Sequence, residues 1–382
     1  MTGFTRRDHL LALAGLSLLP VGAVRAAASQ PSRMLQPRPL AFPRDHGSHN
    51  ETRTEWWYLT GHALDKQGQA LGFQVTFFRS RVDAAQTLRS RLAARQLLFA
   101  HAAITDVQGQ RLWHDQRIAR WNGERPAALT DRNSPGAAFA DDQDTAIRLR
   151  DWSLQRLGSG GYRVRVQAED LAINIDAAPA QAHLLQGHQG FSRKGPELSQ
   201  SSFYVSHPQL QVSGALRIQA RELALQSGRA WLDHEWSEAL LHPEAVGWDW
   251  IGMNLHNGDS LTAFRLRRAD GSAVWAGGSW RAAAQGASPQ GAQSFEATSV
   301  IFEPLRWWTS PHTQARYPVE WWVRTPAGVF KVRALVDDQE LDSRQSTGTV
   351  YWEGLSDLLG ENGQPLGRGY LEMTGYAQRL VL

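Results

Sequence analysis

The pattern that most restricts the fold is a glutamate followed by two tryptophans, which occurs twice. Glu55-Trp56-Trp57-Tyr58 lies near the start of the mature chain, and Glu320-Trp321-Trp322-Val323 lies towards its end. On a β-strand, consecutive side chains point to opposite faces, so each pair sends one indole inward and one outward, where it too needs cover. The reading is two related β units, each with a large aromatic-lined interior able to hold a guest. Sixteen of the 382 residues are tryptophan, and Trp248-Asp249-Trp250 adds a third site, with two indoles on one face and Asp249 opposite.

Alternation of apolar and polar residues dominates elsewhere. Leu71–Arg79 carries Phe73, Val75 and Phe77 on one face; the segments beginning at Tyr162, Leu171, Leu210 and Ser260 read the same way. Turn residues such as Asn257-Gly258-Asp259 and Asp270-Gly271 separate them. Helical periodicity is confined to a short segment around Gln86–Leu97. A tryptophan strand, a tight turn and an amphipathic strand recur in both halves, which points to duplication. The expected fold is all-β, built as antiparallel up-and-down barrels, with one domain over residues 42–225 and a second over 226–382.

Residues 1–26 read as an export signal. Arg6 and Arg7 precede an apolar run from Leu10 to Ala23, and Val24-Arg25-Ala26 supplies small residues before a cleavage point at Ala26–Ala27. Residues 27–41, rich in Pro, Ser and Gln, form a linker. A twin-arginine signal implies a periplasmic protein. The net charge of +3 includes Arg6, Arg7, Arg25 and Asp8 of the leader, and the mature chain has no cationic stripe, so nucleic acid is not an expected partner. With no cysteine there is no disulfide, and stability must come from burial.

Several clusters could carry chemistry. Asp45, His46 and His49 sit in a Gly/Ser/Asn loop just before Glu55; two histidines three apart with flanking carboxylates could bind a metal, with His101 as third ligand, but no paired ligand motif follows, and neither metal nor cofactor is expected. In Trp231-Leu-Asp-His-Glu-Trp236, alternation aims Asp233 and Glu235 one way and His234 and Trp236 the other. His234 beside Trp236 would suit a proton donor in an aromatic pocket, with Asp233 or Glu235 as helper. Glu55 and Glu320 are expected to pair with interior arginines such as Arg79 or Arg265. The candidate ligand-binding residues are Trp56, Trp57, Tyr58, Arg79, His101, Trp248, Trp250, Trp321 and Trp322.

Phe42–Gly61, with Leu98–Asp106, Ser192–Gly195, Ser202–Ser206, Ala230–Trp236 and Gly247–Trp250, resembles the AttH-like, carotenoid 1,2-hydratase (hydroxyneurosporene synthase) family, whose members are often described as lipocalin-like predicted secreted hydrolases. The resemblance covers nearly the whole mature chain. It implies two tandem lipocalin-like β-barrel domains and a hydrophobic ligand. Its hydratase branch adds water to an alkene by protonation and capture of the resulting cation. That branch uses a His-x-Trp pair, which His234 and Trp236 match, and a Tyr and an Asp two residues apart on a following strand. Ser260–Arg267 contains neither. The expectation is an exported protein that binds or processes an elongated lipid- or polyene-like molecule, alongside an export or ABC-transport system. A hydro-lyase or isomerase and a secreted hydrolase are the enzymatic alternatives.

Overall fold

The computed structural model describes residues 34–90, 92–125, 138–239, 241–285, 287–288 and 291–380. The expected leader and the first part of the linker lie outside the described residues. Among those described there is no α-helix, only 3-10 turns at Arg44–His46, Asp83–Ala85 and Ala283–Gln285. Around the segment expected to be helical, Gln86–Leu97, the described residues form a loop until Gln96 and Leu97 open the strand Gln96–Asp106; Leu88 and Leu92 are exposed there, without the buried apolar stripe a helix would need.

The strands form two antiparallel sheets, one of 13 strands and one of 10. They are two tandem lipocalin-like barrels with a common plan. In the first, Thr54–Asp65 pairs with the next strand, Ala70–Arg81, and with the last, Arg221–Ser237. In the second, Gly247–Leu255 pairs with the next strand, Ser260–Arg267, and with the last, Pro365–Met373. The first strand of each sheet thus lies between its successor and the closing strand. By this correspondence the counterpart of the Trp56-Trp57 strand is the Trp248–Trp250 strand. The second Glu-Trp-Trp sits later in the sheet, on Arg316–Thr325.

The first sheet extends past the expected boundary at residue 225. Arg221–Ser237 is a 17-residue strand paired on one side with Thr54–Asp65 and on the other with Ser201–Ile218. The second sheet begins at Gly247. Glu222–Arg229 reads as a break because it is polar, but only its outward face is so.

Both interiors are filled. Trp57, Phe73, Phe77 and Trp152 pack inside the first sheet, and Met253, Tyr317, Trp321 and Trp352 inside the second, none more than 2% exposed. Large aromatics close these barrels as packed cores, so the guest space expected inside them lies elsewhere. A third cluster, including Tyr58, Trp231, Trp250, Phe264, Leu355 and Tyr370, joins the outer faces of the two sheets. Polar links reinforce the joint: Thr105 Oγ1 donates to Gln339 Oε1 at 2.8 Å, and the Gln209 amide donates to Asn254 Oδ1 at 2.8 Å. Gly72 faces this joint. A Cβ there would lie 2.8 Å from the Tyr370 hydroxyl and 3.0 Å from the Leu355 Cβ, so close approach of the sheets requires glycine.

Candidate functional site between the sheets

The split of side chains across each strand builds the site. Trp57 turns into the first core, while Trp56 and Tyr58 turn out. On the neighbouring strand Asp233 and Glu235 turn out with them. From the second sheet Trp248, Trp250, Phe264, Leu266, Tyr351, Glu353 and Glu372 face back. These residues wall a cavity of about 310 Å³, within the size of small-molecule pockets.

Four carboxyls line this largely aromatic space: Asp233, Glu235 and Glu353 are buried and Glu372 is half-buried. Asp233 accepts hydrogen bonds from Tyr204 Oη (2.6 Å), Ser206 Oγ (2.5 Å) and Trp231 Nε1 (2.7 Å). Burial nevertheless outweighs these donors and pushes its pKa up to about 7. Glu235 faces the Lys194 ammonium at 3.0 Å and accepts from Ser202 Oγ at 2.5 Å. Glu353 and Glu372 are direct cross-strand partners. Burial raises Glu372 to about 7, with Asp233 and Glu235 adding to the rise. Burial and the Glu372 charge hold Glu353 well above the usual carboxyl range. This environment favours the protonated form of Glu353 over the carboxylate. The Tyr58 and Tyr351 hydroxyls face the Glu353 carboxyl from the same cavity lining.

His101 lies at the cavity edge. Ser346 Oγ donates to Gln116 Oε1 (2.6 Å), so it accepts from His101 Nε2–H (2.9 Å), leaving Nδ1 to accept from Tyr351 Oη (2.8 Å). Burial lowers the His101 pKa to about 3, so the ring is neutral.

The remaining loop and histidine candidates assemble on the opposite face of the first sheet. His49 Nδ1 meets Glu55 Oε1 at 2.8 Å and His49 Nε2 meets Asp45 Oδ1 at 3.0 Å. His234 Nε2 meets Glu55 Oε1 at 2.9 Å, and Arg79 Nε donates to Glu55 Oε2 at 2.9 Å. His234 stacks on Trp57 (4.6 Å) and tilts against Trp236 (4.7 Å); His49 stacks on Trp236 (3.8 Å). Neither His234 nor Trp236 lines the cavity. His49, Glu55 and His234 offer ligand atoms close enough for a metal, but those atoms already bond to one another. Despite its burial, the flanking carboxylates raise the His49 pKa, and with Arg79 it balances Glu55 and Asp45 without an ion. His46 stands apart, its ring 4.4 Å from Phe42 and its pKa lowered to about 2 by burial.

Of the other expected residues, Trp321 is in the second core, and Trp322 packs under Lys331 (4.9 Å) on the outer side of its strand. Glu320 pairs with Arg306 (3.6 Å) and Lys331 (3.7 Å). Arg265 instead meets Asp249 at 2.7 Å, and Asp249 is fully buried. Sequence reasoning did not single out Lys194, Tyr204, Glu353 or Glu372 as site residues. A signal was available: Tyr351-x-Glu353 and Tyr370-x-Glu372 each place a phenol and a carboxyl on one face of a strand.

The sequence matches the AttH-like family over residues 33–376. The chain belongs to that family. Its fold is similar to the crystal structure of a candidate AttH protein from Nitrosomonas europaea, with 42% identity, TM-score 0.78, and coverage of 90% of this chain and 99% of that one. Kievitone hydratase from Nectria haematococca shares the fold at 13% identity and TM-score 0.63, covering 89% of this chain and 94% of that one. Among curated proteins, none matches the sequence. In this AttH-like chain no helix of the described residues is long and apolar enough to cross a membrane.

Proposed function

We propose that the cavity between the two sheets binds an apolar, unsaturated small molecule and adds water to it or removes water from it by acid–base catalysis. The observation that carries this reading is the Glu353–Glu372 pair: two directly opposed carboxyls in an aromatic-walled cavity, both pushed by burial towards their protonated forms. In hydration, the Glu353 carboxyl gives its proton to one alkene carbon. Positive charge then develops on the other carbon, where the indole faces of Trp56 and Trp250 and the remaining carboxylates stabilise it. A water oxygen bonds to that carbon, and the carboxylate of Asp233 takes the water proton. Proton return from Asp233 to Glu353 restores the starting state, so no co-reactant is consumed. The family's fold similarity to a protein named as a hydratase is consistent with this chemistry. Export through the twin-arginine leader to the periplasm is part of the same proposal.

The test incubates the mature protein with alkenes of increasing length in ¹⁸O-water. Label should enter product with the wild type. With Glu353→Gln it should fall by about 100-fold or more, while quenching of tryptophan fluorescence by the same alkenes persists. Binding without label from any alkene would leave a carrier of hydrophobic molecules, not an enzyme.

A further inference from the structure

A second cavity, of about 350 Å³, lies beside the first, lined by Trp275, Phe191 and Phe295 among others. The two share Tyr204 and Phe264 as walls. Along Ser260–Arg267 one face presents Thr262 to the second cavity, Phe264 to both and Leu266 to the first, as the two-residue period of a strand requires. Ser192 and Arg193 line the second cavity, and the next residue, Lys194, lines the first. The same cleft between the sheets is therefore divided by one partition. Its components are defined: the Lys194 ammonium lies 4.4 Å from the Tyr204 ring centroid and 4.3 Å from that of Phe264, and Glu235 tethers it at 3.0 Å.

We infer that Lys194, Tyr204 and Phe264 form a length-selecting partition, and that the ligand is a single-chain amphiphile lying across it. Its polar or reactive end sits among the carboxyls of the first cavity and its apolar tail lies against Trp275 and Phe295 in the second. Only the assignment of the reactive end rests on the proposed function. The partition is built from side-chain contacts alone. A chain crossing the partition packs against the two rings, and the tethered ammonium stays paired with Glu235 beside it. Molecules that fit within the first cavity do not have to cross this wall, so discrimination by length is made here.

The test uses hexanol and hexadecanol as probes of the mature protein, followed by tryptophan fluorescence. Ala297 is half-buried and lines the second cavity, so Ala297→Trp fills that cavity from its edge. Ser294→Trp, at an exposed lining position, provides the same block should the first variant not fold, as read by circular dichroism. The wild type should bind hexadecanol more tightly than hexanol. The blocking variant should lose about tenfold or more of hexadecanol affinity while hexanol stays within about twofold, since each methylene kept in water forfeits its burial. Unchanged hexadecanol binding in a folded variant would overturn the partition. A protein that turns over no alkene but keeps this split in length dependence loses the catalytic reading and retains this one.

Discussion

Glu353 and Glu372 face each other across adjacent antiparallel strands, Val350–Leu359 and Pro365–Met373, in the lining of the cavity between the sheets. Directly opposed like charges destabilise a sheet, and this pair relieves the conflict by holding protons. Because the folded-state pKa of Glu372, about 7, exceeds the unfolded carboxyl value, its contribution is fully present in acid and is lost as pH rises towards and through 7. Buried neutral histidines such as His101 impose the opposite slope, but equally on variants. Glu372→Gln should therefore match the wild type near pH ~4 and become progressively more stable than it by pH ~8. A gain of a few kcal/mol is the upper bound, at about 1.4 kcal/mol per pKa unit. Urea titrations of both proteins across this range check it; a constant difference would mean that Glu372 does not titrate there.

Trp56 and Trp57 are neighbours in sequence with separate duties. Trp57 is fully buried in the first core, and Trp56 lines the cavity. Trp57→Ala should cost about 3–5 kcal/mol of stability through the void it leaves. Trp56→Ala should cost less in stability and weaken quenching of tryptophan fluorescence by apolar ligands. The pair is checked by chemical denaturation alongside ligand titration; equal effects on both readouts would contradict the split.

The same alternation explains what was legible in the sequence. It identified strands, the opposite facing of Trp56 and Trp57 without saying which turns inward, and the division of Asp233 and Glu235 from His234 and Trp236. It did not reveal that the outward faces meet each other. Tyr58 and Glu353 are almost three hundred positions apart, and nothing local says that one barrel's exterior covers the other's. For that reason the sequence left open whether a guest lies in or between the barrels, and Glu353 and Glu372 read as ordinary strand carboxylates. The boundary near residue 225 was misplaced for a related reason: Glu222–Arg229 is polar on its exposed face while its strand continues to Ser237.

Glu55 anchors the network behind the cavity. It bonds His49, His234 and Arg79 with no exposure of its side chain. Glu55→Gln should destabilise the protein by about 3–5 kcal/mol, because Arg79 would remain a buried charge without its carboxylate partner. His234→Ala should destabilise it by removing the stack on Trp57 and one bond to Glu55, and should leave the pH dependence contributed by Glu372 in place. Denaturation profiles at two pH values separate these expectations, and a His234→Ala variant of wild-type stability that lacked turnover would instead assign this histidine to the reaction.

Gly72 sets how closely the two barrels approach. A methyl group there would meet the Tyr370 hydroxyl at 2.8 Å, the Leu355 Cβ at 3.0 Å and the Thr105 Cβ at 3.1 Å. Leu355 and Thr105 each belong to a strand, and their Cβ atoms cannot swing aside. Gly72→Val must therefore push the sheets apart or strain them, at about 1–3 kcal/mol. The cores of the two barrels do not depend on this contact, so β-sheet circular dichroism should be retained. The cavity does depend on it, since its walls come from both sheets. Ligand affinity should fall by more than the stability loss alone explains, and the environment of Trp250, at the joint, should become more polar, seen as a red shift in emission that Trp250→Phe abolishes. Wild-type ligand affinity in Gly72→Val would mean that the walls of the cavity are not held in register by this contact.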